Sequence, residues 1–215
     1  QGGSPHLIEE SHAGVSRRAF AADAQLRSSL AGVTTTPFPA DNSLATQLQI
    51  IARLIAARRS LGLRRQVFFA SLGGFDLHDN LIANHPGLLA TVANALRAFH
   101  DATVALGVDR QVTTFTASDF GRTLSSNGDG SDHGWGSYHF VMGGAVRGQR
   151  WYGQLPDMAV NGRHDVGSGR HLPAVSVDQY GATLGRWLGV SASGLADVFP
   201  NLSRFGSTDL GFLGA

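Results

Sequence analysis

Gln66-Val67-Phe68-Phe69-Ala70-Ser71-Leu72 runs without a break into Gly73-Gly74-Phe75-Asp76-Leu77-His78-Asp79-Asn80, and the reading of this stretch decides the fold. Its first seven residues are continuous, apolar and rich in β-formers, the pattern of a strand covered on both faces. Downstream, Gln111-Val112-Thr113-Thr114-Phe115-Thr116-Ala117 repeats that pattern and ends in Ser118-Asp119-Phe120-Gly121-Arg122-Thr123. Between them a helix is expected to start near His85-Pro86, with proline in its first turn, and to run through Leu88, Val92, Leu96 and Phe99 to Gly107. Strand, helix and strand of these lengths predict a βαβ unit, and with it a parallel strand pair joined by a right-handed crossover. The class that follows is α/β, a mostly parallel sheet flanked by helices.

Working outward, Asp41-Asn42-Ser43 supplies capping residues for a helix with Leu44, Leu48, Ile51 and Ile55 on one face and Gly62 as its stop. From about Pro5 to Leu30 the apolar spacing suits one helix or two short ones, with Gly14 a weak point, and Thr34 to Pro39 breaks the pattern as a loop. Residues 1–40 are therefore expected to form a helical segment and linker, and 41–215 the α/β domain. On the other side, Ser125 to Gly136 reads as a glycine-rich polar loop and Tyr138 to Val146 as another strand, with a turn at Arg147-Gly148-Gln149. Asn161 to Arg170 reads as irregular. Ser176-Val177-Asp178-Gln179 is a capping box opening a helix that ends at Gly189, and a short helix is expected over Leu195 to Phe199.

Composition narrows the function. Of 215 residues 42% are hydrophobic and 15% charged, which is globular and lightly charged, with enough chain for a real core. No apolar run reaches the roughly 18 residues that a membrane-spanning helix requires. The net charge of +1, with arginines scattered along the chain, argues against nucleic acid as a partner. Every basic residue is arginine. Cysteine is absent, which removes disulfides, thiolate metal sites and cysteine nucleophiles together. No signal peptide opens the chain and it lacks an initial methionine, so a processed or truncated product is expected.

In open α/β sheets ligands bind beyond the carboxyl ends of the strands. Both strand ends here carry acidic residues: Asp76 with His78 after the first, and Asp119 with Arg122 after the second. Parallel neighbours would bring them to one edge. The glycines at 128, 130, 134 and 136 would let the next loop fold Asp132-His133 back over that edge. Asp76, His78, Asp119 and His133 are thus the expected metal ligands. An Asp and His set suits zinc, manganese or iron better than calcium, which prefers mostly oxygen donors. The planar fork of Arg122 suits an anionic group. Asp79, Asp132 and His139 are the candidates to support the ligands, although His139 reads equally well as a buried, hydrogen-bonded histidine. Each residue also has a structural alternative: Asp76 as a turn cap after Gly73-Gly74, Asp119 in an Asx-turn, His133 simply solvated. His85 reads as a helix-entry residue, His164 and His171 as exposed, and the tyrosines and tryptophans, Trp135 included, as packing. Ser118, Thr123, Ser125 and Ser131 lie near the site, yet no G-x-S-x-G elbow, Walker loop or dinucleotide fingerprint accompanies them.

Gly-Gly-Phe-Asp-Leu-His-Asp (73–79), Thr-Ala-Ser-Asp-Phe-Gly-Arg-Thr (116–123), Ser-Asp-His-Gly-Trp-Gly (131–136), His-Phe-Val-Met-Gly-Gly (139–144) and Ser-Val-Asp-Gln-Tyr-Gly-Ala-Thr-Leu (176–184) together resemble the bacterial DUF1501 family, over about Asp41 to Leu202. The resemblance implies an alkaline phosphatase-like fold, shared with sulfatases and phosphopentomutases, of which this chain would be the C-terminal portion. It implies a metal-dependent hydrolase of small anionic phosphate or sulfate esters. It also implies twin-arginine export to the periplasm or the exterior, and a nucleophile supplied by the N-terminal half of the same gene product. In that pattern Asp76 and His78 match one metal's first pair, Asp119 the second-strand aspartate, and His133 a later histidine. Phe120 departs from it, standing where a metal-binding histidine is usual, and the one-residue spacing of Asp76 and His78 departs too, leaving Asp79 or His85 as alternatives to His78. The competing expectation is an exported binding or structural protein that kept the fold without the reaction.

Overall fold

The second helix shows most directly how the chain makes its core. The structure is a computed structural model and describes residues 6–214. In α2 (Ser43–Ala56), Leu44, Ala45, Leu48, Ile51, Ala52 and Ile55 recur three and four apart and form one buried stripe. The stripe packs on Ala95, Phe99 and Ala102 of α3 (Leu81–Ala105), and alanines at the crossing let the two helices approach closely. Asn42 caps α2: its Oδ1 accepts from Ala45 N–H at 2.9 Å, while its Nδ2 donates to the Thr91 carbonyl at 2.8 Å and ties the cap to α3. The first helix, α1 (Leu7–Leu30), is continuous through Gly14 and buries no residue.

α3 starts at Leu81, a turn earlier than the proline predicts, and Pro86 lies inside it. A neighbouring loop makes this start possible. Asp129 accepts the Asn80 N–H on its side chain at 3.0 Å and the Leu81 N–H on its carbonyl at 3.0 Å, serving two of the otherwise orphaned donors.

The expected parallel pair is not formed among the described residues. Residues 66–72 are extended, and Phe68, Ala70 and Leu72 pack on the α2–α3 core, while Val67 and Phe69 on the other face are 75% and 91% exposed. Among the described residues the backbone of this segment makes hydrogen bonds only through Ser71, to the side chain of Gln47 at 2.9 and 3.0 Å. Of the second predicted strand β1 (Thr114–Phe115) pairs antiparallel with β4 (Val141–Met142), and Thr116 N–H donates to the Phe140 carbonyl at 3.0 Å. Residues 64–76 and 111–124 both border a cavity of about 1960 Å³, and among the described residues no backbone hydrogen bond joins 66–72 to 111–117. Of the predicted strand over 138–146 only β4 is formed, and Gly143, at φ 151°, follows its last residue.

The segment expected to be a loop is a hairpin. β2 (Gly121–Ser126) and β3 (Ser131–Gly134) pair antiparallel, with Arg122 opposite His133 and Gly121 opposite Gly134. The Asn127-Gly128 turn closes through Asn127 N–H to the Gly130 carbonyl at 3.2 Å and Gly130 N–H to Asn127 Oδ1 at 3.0 Å.

α4 (Val177–Leu188) has the predicted capping box, Ser176 with Gln179, and ends at Gly189 in the left-handed region. With α5 (Ala192–Val198) it forms a second small core of Ala182, Leu195 and Leu202. Two expectations reverse here. His171 is 7% exposed, because Asp165 gathers the N–H groups of Asn161, Gly167 and Gly169 and knots the irregular stretch around it; His164 is half-buried, its Nδ1 accepting from Asp157 N–H at 2.7 Å. Trp135 and Trp151 are exposed rather than packed. Among the described residues, no helix is long and apolar enough to cross a membrane.

Candidate metal centre

Asp76 leaves the end of the 66–72 segment, and the β2–β3 hairpin brings its partners to it. Gly130 is the point of closest approach: a Cβ there would run into the carbonyls of Leu77 and His78. Ser131 N–H donates to the Leu77 carbonyl at 3.3 Å, which fixes the hairpin against the strand end. Cross-strand pairing then puts Arg122 and His133 side by side, facing Asp76.

The geometry centres on one oxygen. Asp76 Oδ1 lies 2.8 Å from His133 Nε2, 3.0 Å from His78 Nε2 and 2.8 Å from Arg122 Nη1. One ligand atom from each of Asp76, His78 and His133 lies within 4.8 Å of the others, and all three residues are exposed. The hydrogen bond from His133, then that from Arg122, holds the Asp76 carboxyl below the usual carboxylate range. Two imidazoles and one carboxylate, close together and reachable from solvent, can hold a transition-metal cation and leave coordination positions open.

The ring of His78 has a carboxylate behind it. Its Nδ1 lies 3.3 Å from Asp132 Oδ1, and Asn127 Nδ2 donates to the same oxygen at 3.1 Å. This is the carboxylate–imidazole arrangement that commonly stands behind metal-binding histidines. Arg122 is turned inward: Nε donates to Ser131 Oγ at 2.9 Å, Nη1 to Asp76, and Nη2 to the carbonyls of Leu77 and Ser131. One Nη1 hydrogen remains for an anion.

Three expected residues stand apart. Asp119 is exposed, borders the large cavity and has no hydrogen bond or ion pair from its side chain among the described residues. Asp79 is exposed and makes no such contact either. His139 is hydrogen-bonded elsewhere, its Nδ1 3.3 Å from Thr116 Oγ1 and its ring stacked on Tyr180 at 5.9 Å. Desolvation of that ring lowers its pKa. His85 lies edge-on to Phe75 within α3, away from the group.

Sequence reasoning missed Asn127 and the use of Ser131 as a rest for Arg122. The Asn127-Gly128 dipeptide, a strong hairpin signal, was the available clue. It also missed Phe120, which lies flat against His133 with ring centroids 4.2 Å apart and planes 5° from parallel.

The family model described as "Protein of unknown function (DUF1501)" matches residues 15–190. No curated protein and no solved structure matches the chain.

Proposed function

From the premise that the chain belongs to the DUF1501 family, we propose that it is a metal-dependent hydrolase-like protein of the alkaline phosphatase-like class, acting on phosphate or sulfate esters. The observation that carries this reading is the convergence of Asp76, His78 and His133 on one point. The donor set fits zinc, manganese or iron. A divalent cation bound there would supply Lewis acidity, polarising an ester oxygen and lowering the pKa of a bound nucleophile. Asp132 holds the His78 tautomer, and Arg122 offers its remaining N–H to the anionic group of the substrate. Asp119 borders the cavity that Asp76 and Arg122 also border, so it joins the site only if substrate or further chain brings it closer.

The same reading has the site completed by the N-terminal half of the gene product, exported with it. A cavity of about 1960 Å³ supports this. It is roughly twice the largest usual small-molecule pocket, and residues 66–72 bring to it a backbone that is unpaired, among the described residues, except at Ser71. Such a wall suits polypeptide in strand form better than a small ligand.

Calorimetric titration with Zn²⁺, Mn²⁺ and Fe²⁺, followed by turnover of aryl phosphates and aryl sulfates by the full-length protein, tests the proposal. Binding that Asp76→Ala abolishes is expected; a wild-type protein that binds none of the three ions sinks it. One observation favours the alternative of a non-catalytic binding or structural protein. Asp76 already has Arg122 and two imidazoles as partners, a network that is satisfied without a cation. Turnover lost in Asp76→Ala would dispose of that alternative.

A further inference from the structure

The two histidines of the centre are held in different ways. His78 has a carboxylate behind it, with Asp132 Oδ1 3.3 Å from its Nδ1. His133 has no hydrogen bond at Nδ1 among the described residues, and its Nε2 faces Asp76 Oδ1 at 2.8 Å. An imidazole without a partner on its second nitrogen is free to turn about its side-chain bonds, and that freedom must be lost when the ring becomes a ligand.

What restrains His133 is an aromatic plane. In the β2–β3 register Arg122 sits opposite His133, which makes Phe120 the diagonal neighbour of His133 on the same face. The Phe120 ring lies parallel to the imidazole, with 4.2 Å between centroids and 5° between planes. The same phenyl ring has the Arg122 guanidinium carbon 5.7 Å from its centroid, within cation–π range. Ser118 fixes the approach to it, its Oγ donating to the Phe120 carbonyl at 2.9 Å. One apolar side chain therefore touches both the histidine and the arginine that reach Asp76.

We infer that Phe120 is a positioning residue of this centre: its ring sets the plane of His133 so that Nε2 is presented to a cation shared with Asp76 and His78. The inference rests on the metal reading above and adds to it the device that replaces a hydrogen-bonded support behind His133. Phe120 itself offers no ligand atom to a metal ion. Any flat aromatic ring at this position serves, and an aliphatic side chain of similar bulk does not.

The test compares wild type, Phe120→Leu and Phe120→Tyr by calorimetric titration with Zn²⁺ and Mn²⁺. Each variant's melting temperature and the His133 ring-proton shifts are recorded in parallel. Phe120→Leu is expected to weaken binding about tenfold or more, the usual effect of removing a ligand's support, with the melting temperature nearly unchanged. The His133 ring protons, shifted upfield by the stacked phenyl ring in wild type, are expected to lose that shift in Phe120→Leu. Phe120→Tyr is expected to keep both the affinity and the shift. Wild-type binding that Phe120→Leu leaves unchanged overturns this inference alone. So does a His133 ring shift that is identical in all three proteins. A wild type that binds neither ion overturns the metal reading, and this inference with it.

Discussion

Asp76 Oδ1 accepts from His133 and Arg122 and lies 3.0 Å from His78 Nε2, and a carboxylate so placed prefers to remain ionised. Its pKa is lowered first by the His133 hydrogen bond and next by that of Arg122. A depressed carboxyl contributes stability above the ordinary value of about 3.9, and that contribution is lost as pH falls through the lowered folded value. NMR titration of the Asp76 carboxyl should therefore find it below the ordinary value of about 3.9, and His133→Ala should move it back up. A wild-type Asp76 carboxyl titrating at the ordinary value would remove this hub. Tyr180 behaves in the opposite sense. Burial pushes its phenol up to about 12, so it stays neutral in the fold after an unfolded tyrosine, near 10, has ionised. Its share of stability is full below about pH 10 and is lost as pH rises towards 12. Spectrophotometric titration should show one of the three tyrosines ionising last, and Tyr180→Phe should delete that step.

At the scale of elements, the hairpin β2–β3 is the part that assembles the centre, and Gly130 is where it is most sensitive. A methyl group there meets the carbonyls of Leu77 and His78, which are backbone and cannot rotate away. Gly130→Ala should cost about 1–3 kcal/mol in urea unfolding and weaken metal binding together with stability; a variant as stable as wild type would show that the hairpin does not close on the strand end. Helix α4 offers a control far from the centre. Ser176→Ala removes the Oγ that accepts from Gln179 N–H at 3.1 Å and should cost about 1 kcal/mol, with metal affinity unchanged. In the α2–α3 core, Phe99→Ala should cost about 3–5 kcal/mol, because Phe99 lies buried between the two helices.

The whole molecule carries a large cavity beside an extended segment whose outer face is bare. Val67 and Phe69 are far more exposed than residues of their kind usually are, and unpaired strand edges next to apolar side chains invite association. The 215-residue chain alone should self-associate at high concentration in size-exclusion chromatography, and Phe69→Ser should reduce this without lowering the melting temperature. Equal elution of the two proteins at all concentrations would mean that this face is not sticky.

Helix positions were legible in the sequence because their causes are local. Asn42 and Ser176 cap the helices that follow them, and the spacing from Leu44 to Ile55 marks a buried stripe whatever lies against it. The closeness of Asp76, His78 and His133 was legible too, since two strand-like runs and the glycine-rich stretch after them limit where those residues go. Pairing was not legible. Residues 66–72 and 111–117 have the composition of neighbouring strands, yet a ladder needs a partner backbone at bonding distance, and composition does not say which backbone that is. The same limit explains why Asp119 stands outside the group while Phe120, its neighbour, lies flat on His133. Residue types and their spacing are properties of the chain by itself. Which oxygen gathers two imidazoles and a guanidinium, and which ring lies flat on the histidine, depends on a register between distant segments that only the tertiary structure decides.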